Sequence, residues 1–145
     1  MSADLTLGPQ VFVDTNILVY AFDVTAGHKR ARALSLLSES WGRTGASLSV
    51  QVLQEFYVTV TRKLKRPLAL ENAHRIVASL SHWQVHAPQA ADVLAAIDLH
   101  ATAQLSFWDS MIITSAAQLN CRVLLSEDLS AGQEIAGVTI VNPFS

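Results

Sequence analysis

A chain of 145 residues, half of them hydrophobic, is long enough to bury one sizeable core and too apolar to stay disordered. Its net charge of -2 supplies no global field for a polyanion, so a nucleic acid would have to be held by local patches. A single cysteine, Cys121, excludes an internal disulfide, and the lack of a membrane-length apolar run or a leader-like N-terminus predicts a soluble, cytoplasmic protein with no membrane partner.

The apolar run Val11-Phe12-Val13 predicts a first strand over Gln10 to Asp14, then a short helix from Thr15 to about Asp23. Ala33, Leu34, Leu37 and Trp41 recur at helical spacing and predict a second helix over roughly His28 to Trp41. Gly42 to Gly45 reads as a loop and Ser47 to Ser49 as a second strand. Val52, Leu53, Phe56, Tyr57, Val60 and Leu64 share one face of a helix that must stop before Pro67. Leu70 to Leu80 repeats that spacing, and Gln84 to His86 reads as a third strand. Pro88 suits the first turn of a helix reaching about Ala103, and Ser106 opens another that runs to Asn120. Arg122 to Leu125 and Val138 to Val141 complete five strands. Alternating elements of this kind predict an α/β fold, a five-stranded parallel sheet with helices on both faces.

Four carboxylates fall where such a fold brings chain segments together. Asp14 ends the first strand, Asp128 follows the fourth with Ser126 and Glu127 between, and Glu55 and Asp109 lie near the starts of two apolar helices. In a parallel sheet each crossover helix begins at the edge where the preceding strand ended, and ligands of open α/β sheets bind at that edge. Four acids aimed at one place repel each other unless a cation lies among them. A divalent metal is therefore the first functional expectation.

The runs Val13-Asp14-Thr15-Asn16-Ile17-Leu18, Gln51-Val52-Leu53-Gln54-Glu55-Phe56-Tyr57, Phe107-Trp108-Asp109-Ser110 and Leu124-Leu125-Ser126-Glu127-Asp128-Leu129 together resemble the PIN-domain pattern. The likeness is greatest to the VapC toxins of type II toxin–antitoxin operons. It spans the chain as a single domain over residues 1–145, with a core of about 10–142. The resemblance implies a metal-dependent endoribonuclease, usually a homodimer and usually inhibited by a small antitoxin encoded beside it. Mg²⁺, with Mn²⁺ as substitute, prefers hard oxygen ligands and keeps several waters, so one or two direct carboxylates suffice. Asp14 and Asp109 are the expected direct ligands, and Glu55 and Asp128 are expected to complete the site directly or through water. Asn16 and Ser126 are placed to orient carboxylates or metal-bound waters. No covalent nucleophile is offered, which leaves water as the attacker.

Each residue also has a plainer reading. Asp14 could cap the helix that follows it. Ser106-Phe107-Trp108-Asp109 has capping-box spacing. Glu55 lies on a polar stripe with Gln51 and Arg62, and Asp128 suits a turn. These readings do not predict that all four acids face one sheet edge. Glu127 competes with Asp128 for the inward direction, and the family pattern favours Asp128. The histidines show no zinc-ligand spacing, Cys121 reads as a small buried residue, and Trp108 reads as core. Arg62-Lys63-Leu64-Lys65-Arg66 ends a helix, where cations offset the macrodipole. His28-Lys29-Arg30-Ala31-Arg32 opens one, where positive charge is unfavourable, and so predicts an external anion such as phosphate or an acidic partner.

Other acidic-edge folds fit less well. A receiver domain needs an acidic pair after the first strand and a lysine after the last, and a haloacid-dehalogenase-type phosphatase needs an Asp where Asn16 stands. A housekeeping PIN nuclease, or a PIN-like module that binds RNA or protein without cutting, remains as the alternative.

Overall fold

The computed structural model describes residues 5–38 and 45–145. Its strands are β1 (Val11–Val13), β2 (Ser47–Ser49), β3 (Gln84–His86), β4 (Val123–Leu125), β5 (Glu134–Ile135) and β6 (Val138–Val141). The helices are α1 (Thr15–Phe22), α2 (His28–Ser38), α3 (Val50–Val58), α4 (Leu70–Leu80), α5 (Ala90–Ala103) and α6 (Phe107–Gln118). Strands of three residues are short, yet β1 and β2 are buried throughout because helices cover both faces of the sheet. The serines of β2 are satisfied there: Ser47 Oγ donates to the Pro9 carbonyl at 2.6 Å, and Ser49 Oγ accepts from the Val52 N–H at 3.3 Å.

Spatial order across the sheet is β3-β2-β1-β4-β6-β5. The five expected strands are all present and mutually parallel, with Val13 opposite Leu125 and Leu125 opposite Val141. The expectation of five strands needs one correction: β5 pairs antiparallel with β6. Ile135 and Val138 face each other across the two-residue turn Ala136-Gly137, both at positive φ, 53° and 80°. Such a turn favours Asn-Gly or Asp-Gly, so Ala136 conceals the hairpin from sequence reading.

α6 lies across β2, β3, β4 and β6, with α5 packed on its outer side. That double contact buries every residue from Ser110 to Ala116. On the opposite face α1 packs against α2 and α3. The core between is built on Phe12, Leu18, Leu48, Phe56, Leu124 and Ile140, each at most 1% exposed.

Two boundaries differ from expectation. α3 does not continue regularly to Leu64; after Val58 the chain enters a π turn over Thr59–Lys63, and Leu64 is extended. α5 begins at Ala90, not Pro88, because Gln89 is its N-cap and its N–H donates to Asp92 Oδ2 at 2.8 Å. The predicted end of the second helix at Trp41 and most of the Gly42–Gly45 loop lie outside the described residues. Among the described residues, no helix is long and apolar enough to cross a membrane.

Candidate functional site

The strand order reverses at β1: the chain moves from β1 to β2 and β3 on one side, then returns to place β4 on the other. Loops leaving the carboxyl ends of β1 and β4 therefore diverge and leave a crevice, the usual ligand position in an open α/β sheet. Asp14 stands at the end of β1, and Ser126, Glu127 and Asp128 follow β4. The first residues of the two loops interlock, since the Asp14 N–H donates to the Leu125 carbonyl at 3.0 Å and Ser126 Oγ donates to Asp14 Oδ2 at 2.8 Å.

Asp14 is also the N-cap of α1, its Oδ1 accepting from the Thr15 N–H at 2.7 Å. The capping reading and the site reading are thus both compatible with its position. Only 8% of Asp14 is exposed. Burial pushes its carboxyl from an ordinary 3.8 up to about 6, against the pull of the hydrogen bonds from Ser126 and Thr15; the charges of Glu55 and Asp109 add to the rise. Desolvation contributes more to that rise than repulsion between the acids does.

Glu55, on the second turn of α3, is fixed by two donors. Thr15 Oγ1 reaches its Oε1 at 2.7 Å and Gln51 Nε2 its Oε2 at 3.2 Å. Thr15 therefore ties two of the acids together, one through its N–H and one through its hydroxyl. Asp109 lies in the first turn of α6. Its own N–H donates to Ser106 Oγ at 3.0 Å, but the capping box is not reciprocated: among the described residues its carboxylate accepts no hydrogen bond and forms no ion pair.

Asp128 accepts from Asn16 Nδ2 at 3.0 Å and faces, with Glu55, a cleft of about 590 Å³ between α1, α3 and the π turn. Glu127 turns away. It accepts from Tyr20 OH at 2.5 Å and pairs with Lys29 Nζ, and its N–H donates to Asn16 Oδ1 at 3.3 Å. Burial works against the Glu127 charge, but the bonds from Lys29 and Tyr20 prevail and hold its carboxyl below the usual range. Asn16 thus grips both residues, one by each end of its amide.

The structure brings Glu55 and Asp109 each within electrostatic reach of Asp14, and Asp128 lines the same cleft as Glu55. Among the described residues no three His, Cys, Asp or Glu side chains form a group that could hold a metal ion by themselves. The donor set is nonetheless made of hard oxygens only, and Mg²⁺ takes one or two carboxylates and fills its shell with water. A buried, hydrogen-bonded Asp14 whose charge is costly without a counter-ion fits that cation.

Several sequence expectations change here. Lys29 of the basic run that opens α2 meets Glu127 of the same chain, so its anion is internal and not external. Trp108 is 62% exposed and not part of the core. Lys63, grouped by sequence with cations that merely end a helix, lines the cleft, as do Thr15 and Tyr20, which sequence reasoning passed over. The signal for Thr15 was its place directly after a strand-ending acid. His86 is held by Ser115 Oγ at 2.7 Å and Asp92 at 3.3 Å. Cys121 is buried, which pushes its thiol pKa up and suits an unreactive residue.

A family model described as the PIN domain matches residues 11–132. No curated protein matches the chain significantly. Among solved structures, a toxin–antitoxin complex from Klebsiella pneumoniae is similar at 21% identity, over 92% of this chain and 97% of that chain, with a TM-score of 0.66. DNA-bound VapBC from Salmonella typhimurium follows at 19% identity, 91% and 96% coverage and a TM-score of 0.62. VapC20 from Mycobacterium tuberculosis, described as a toxin that cleaves the sarcin–ricin loop, shares 15% identity over 79% of this chain and 86% of its own, with a TM-score of 0.61. At these identities the likeness is one of fold.

Proposed function

The chain belongs to the PIN-domain family, and from that premise we propose that it is a divalent-metal-dependent endoribonuclease acting as the toxin of a type II toxin–antitoxin pair. The observation that carries this reading is the buried Asp14, raised to about 6, beside Glu55 and Asp109 at the switch point of the sheet. Asp14 and Asp109 would hold Mg²⁺ or Mn²⁺ directly, with Glu55 and Asp128 bound directly or through water. When bound, such an ion lowers the pKa of a ligated water and offsets charge on phosphate oxygens.

The chain's own residues do the positioning. Ser126 and the Thr15 N–H fix the two oxygens of Asp14, while Thr15 Oγ1 and Gln51 fix those of Glu55. Asn16 aims Asp128 into the cleft and, through the Glu127 N–H, steadies the loop that carries it. Side chains locked in this way keep reacting groups in line without reorganisation during the reaction.

The proposed partners are an RNA substrate, a cognate antitoxin and a second copy of the chain. Val93, Leu94 and Ile97 leave an apolar stripe exposed on α5, in keeping with a homodimer. Phe22, Leu34 and Leu37 line an apolar cavity of about 420 Å³ beside α2, in keeping with an amphipathic antitoxin helix. The similarity in fold to toxins seen with antitoxins supports the same assignment.

A non-cutting binding module is favoured only by the lack of a ready three-acid cluster among the described residues. Growth on induction separates the readings. Strong expression of the wild-type chain should arrest growth, and Asp14→Asn or Asp109→Asn at equal soluble level should not. Co-expression of the small protein encoded beside it should restore growth. Equal arrest by wild type and both variants would refute the site, and normal growth with abundant soluble wild type would refute the toxin role.

A further inference from the structure

The acids at this site create a difficulty for the proposed substrate, because a cleft lined by Glu55 and Asp128 repels a phosphodiester. One cation, Lys63, lines the same cleft. Its place there depends on the π turn. On a regular α-helix, residues eight apart stand about 80° apart around the axis, since two turns take about 7.2 residues. Thr59–Lys63 is wound instead with the wider i→i+5 spacing, which brings Lys63 back to the face that carries Glu55 and Thr59. Isolated π turns of this kind occur frequently at functional sites.

Lys63 is also uncommitted. The ion pairs among the described residues are Lys29 with Glu127 and His86 with Asp92, and neither cleft carboxylate pairs with it. Relief of the helix dipole does not single it out, because Arg62, Lys65 and Arg66 share that end of the helix. Lys65 lies near Asp23 instead, where its charge helps lower that carboxyl's pKa. Lysine binds phosphate as a flexible point charge, whereas arginine binds it as a fork.

We infer that Lys63 is the substrate-positioning residue that takes a backbone phosphate of single-stranded RNA and seats it against the acids of the cleft; the inference rests on the ribonuclease reading above. Anisotropy of a labelled single-stranded RNA decamer, with Asp14→Asn protein and Mg²⁺ across 50 to 200 mM salt, tests the contact in the absence of cleavage. Lys63→Gln should weaken binding about tenfold at the low-salt end and reduce the slope of log K against log salt by about 0.7, the loss of one phosphate contact on a single strand. Lys63→Arg should retain most of the affinity, and Lys65→Gln should change it less than about twofold. In otherwise wild-type protein, Lys63→Gln should raise KM with kcat little changed, the mark of lost substrate binding.

Equal effects of Lys63→Gln and Lys65→Gln, or no effect of the former, would overturn the inference. The two readings fail separately. RNA binding that depends on Lys63 in a protein that never cleaves would refute the nuclease and keep the contact. Cleavage with an unchanged KM in Lys63→Gln would do the reverse.

Discussion

At Asp14 the bonds from Thr15 and Ser126 favour the charged carboxylate while burial disfavours it, and burial prevails. The folded carboxyl keeps its proton to about pH 6, whereas the unfolded one loses it near 3.8. The stabilisation is therefore complete below about pH 4 and is lost as pH rises through 6, in all roughly 3 kcal/mol at about 1.36 kcal/mol per unit. Urea unfolding in EDTA should show wild type weakening across that window and Asp14→Asn not. At pH 7.5 the variant should be the more stable of the two, and parallel curves would contradict this. The position of Asp14 was legible because a strand-ending acid announces itself. The choice between Glu127 and Asp128 was not, since it turns on Lys29, 98 residues away in sequence, and on Tyr20.

Elements were legible where apolar spacing was long and regular, as in α4, or where a cap marked the start, as Ser106 does for α6. The π turn was not, because its residues fit helical periodicity and only the bonding reveals the extra width. Gly45 shows how an element is held in place. It precedes β2 at φ 65°, and a Cβ there would stand 2.3 Å from Cδ1 of the buried Trp83. Gly45→Ala should lose about 1–2 kcal/mol to the left-handed backbone and a further ~1–3 kcal/mol to overpacking. A urea midpoint within error of wild type would show that the loop relaxes freely. Because β2 leads into α3, RNA cleavage should fall with stability in this variant while the catalytic acids remain intact.

At the scale of the molecule, alternation of strands and helices made the parallel sheet legible, and the sheet's edge made the acids legible as a group. Strand order was not readable from one sequence, yet it places the reversal between β1 and β4, beside Asp14 and Asp128. Glu55 and Asp128 line the cleft, and Asp14, buried at the end of β1, feels the charges of Glu55 and of Asp109 on the first turn of α6. A cation that binds only the folded state would relieve the cost of ionising Asp14, and at 100 times Kd would stabilise it by about 2.7 kcal/mol. Mn²⁺ should accordingly raise the melting temperature at pH 7.5, with a smaller gain near pH 5, where protons compete for the carboxylates.

If these carboxylates make a metal-dependent ribonuclease, the purified protein should cleave a fluorogenic single-stranded RNA only while it holds metal. Activity should vanish on dialysis against EDTA, return with Mn²⁺ or Mg²⁺ in excess, and be absent from Asp14→Asn and Asp109→Asn proteins whose circular dichroism matches wild type. Cleavage that survives complete metal removal, or that either variant carries out at the wild-type rate, would contradict it.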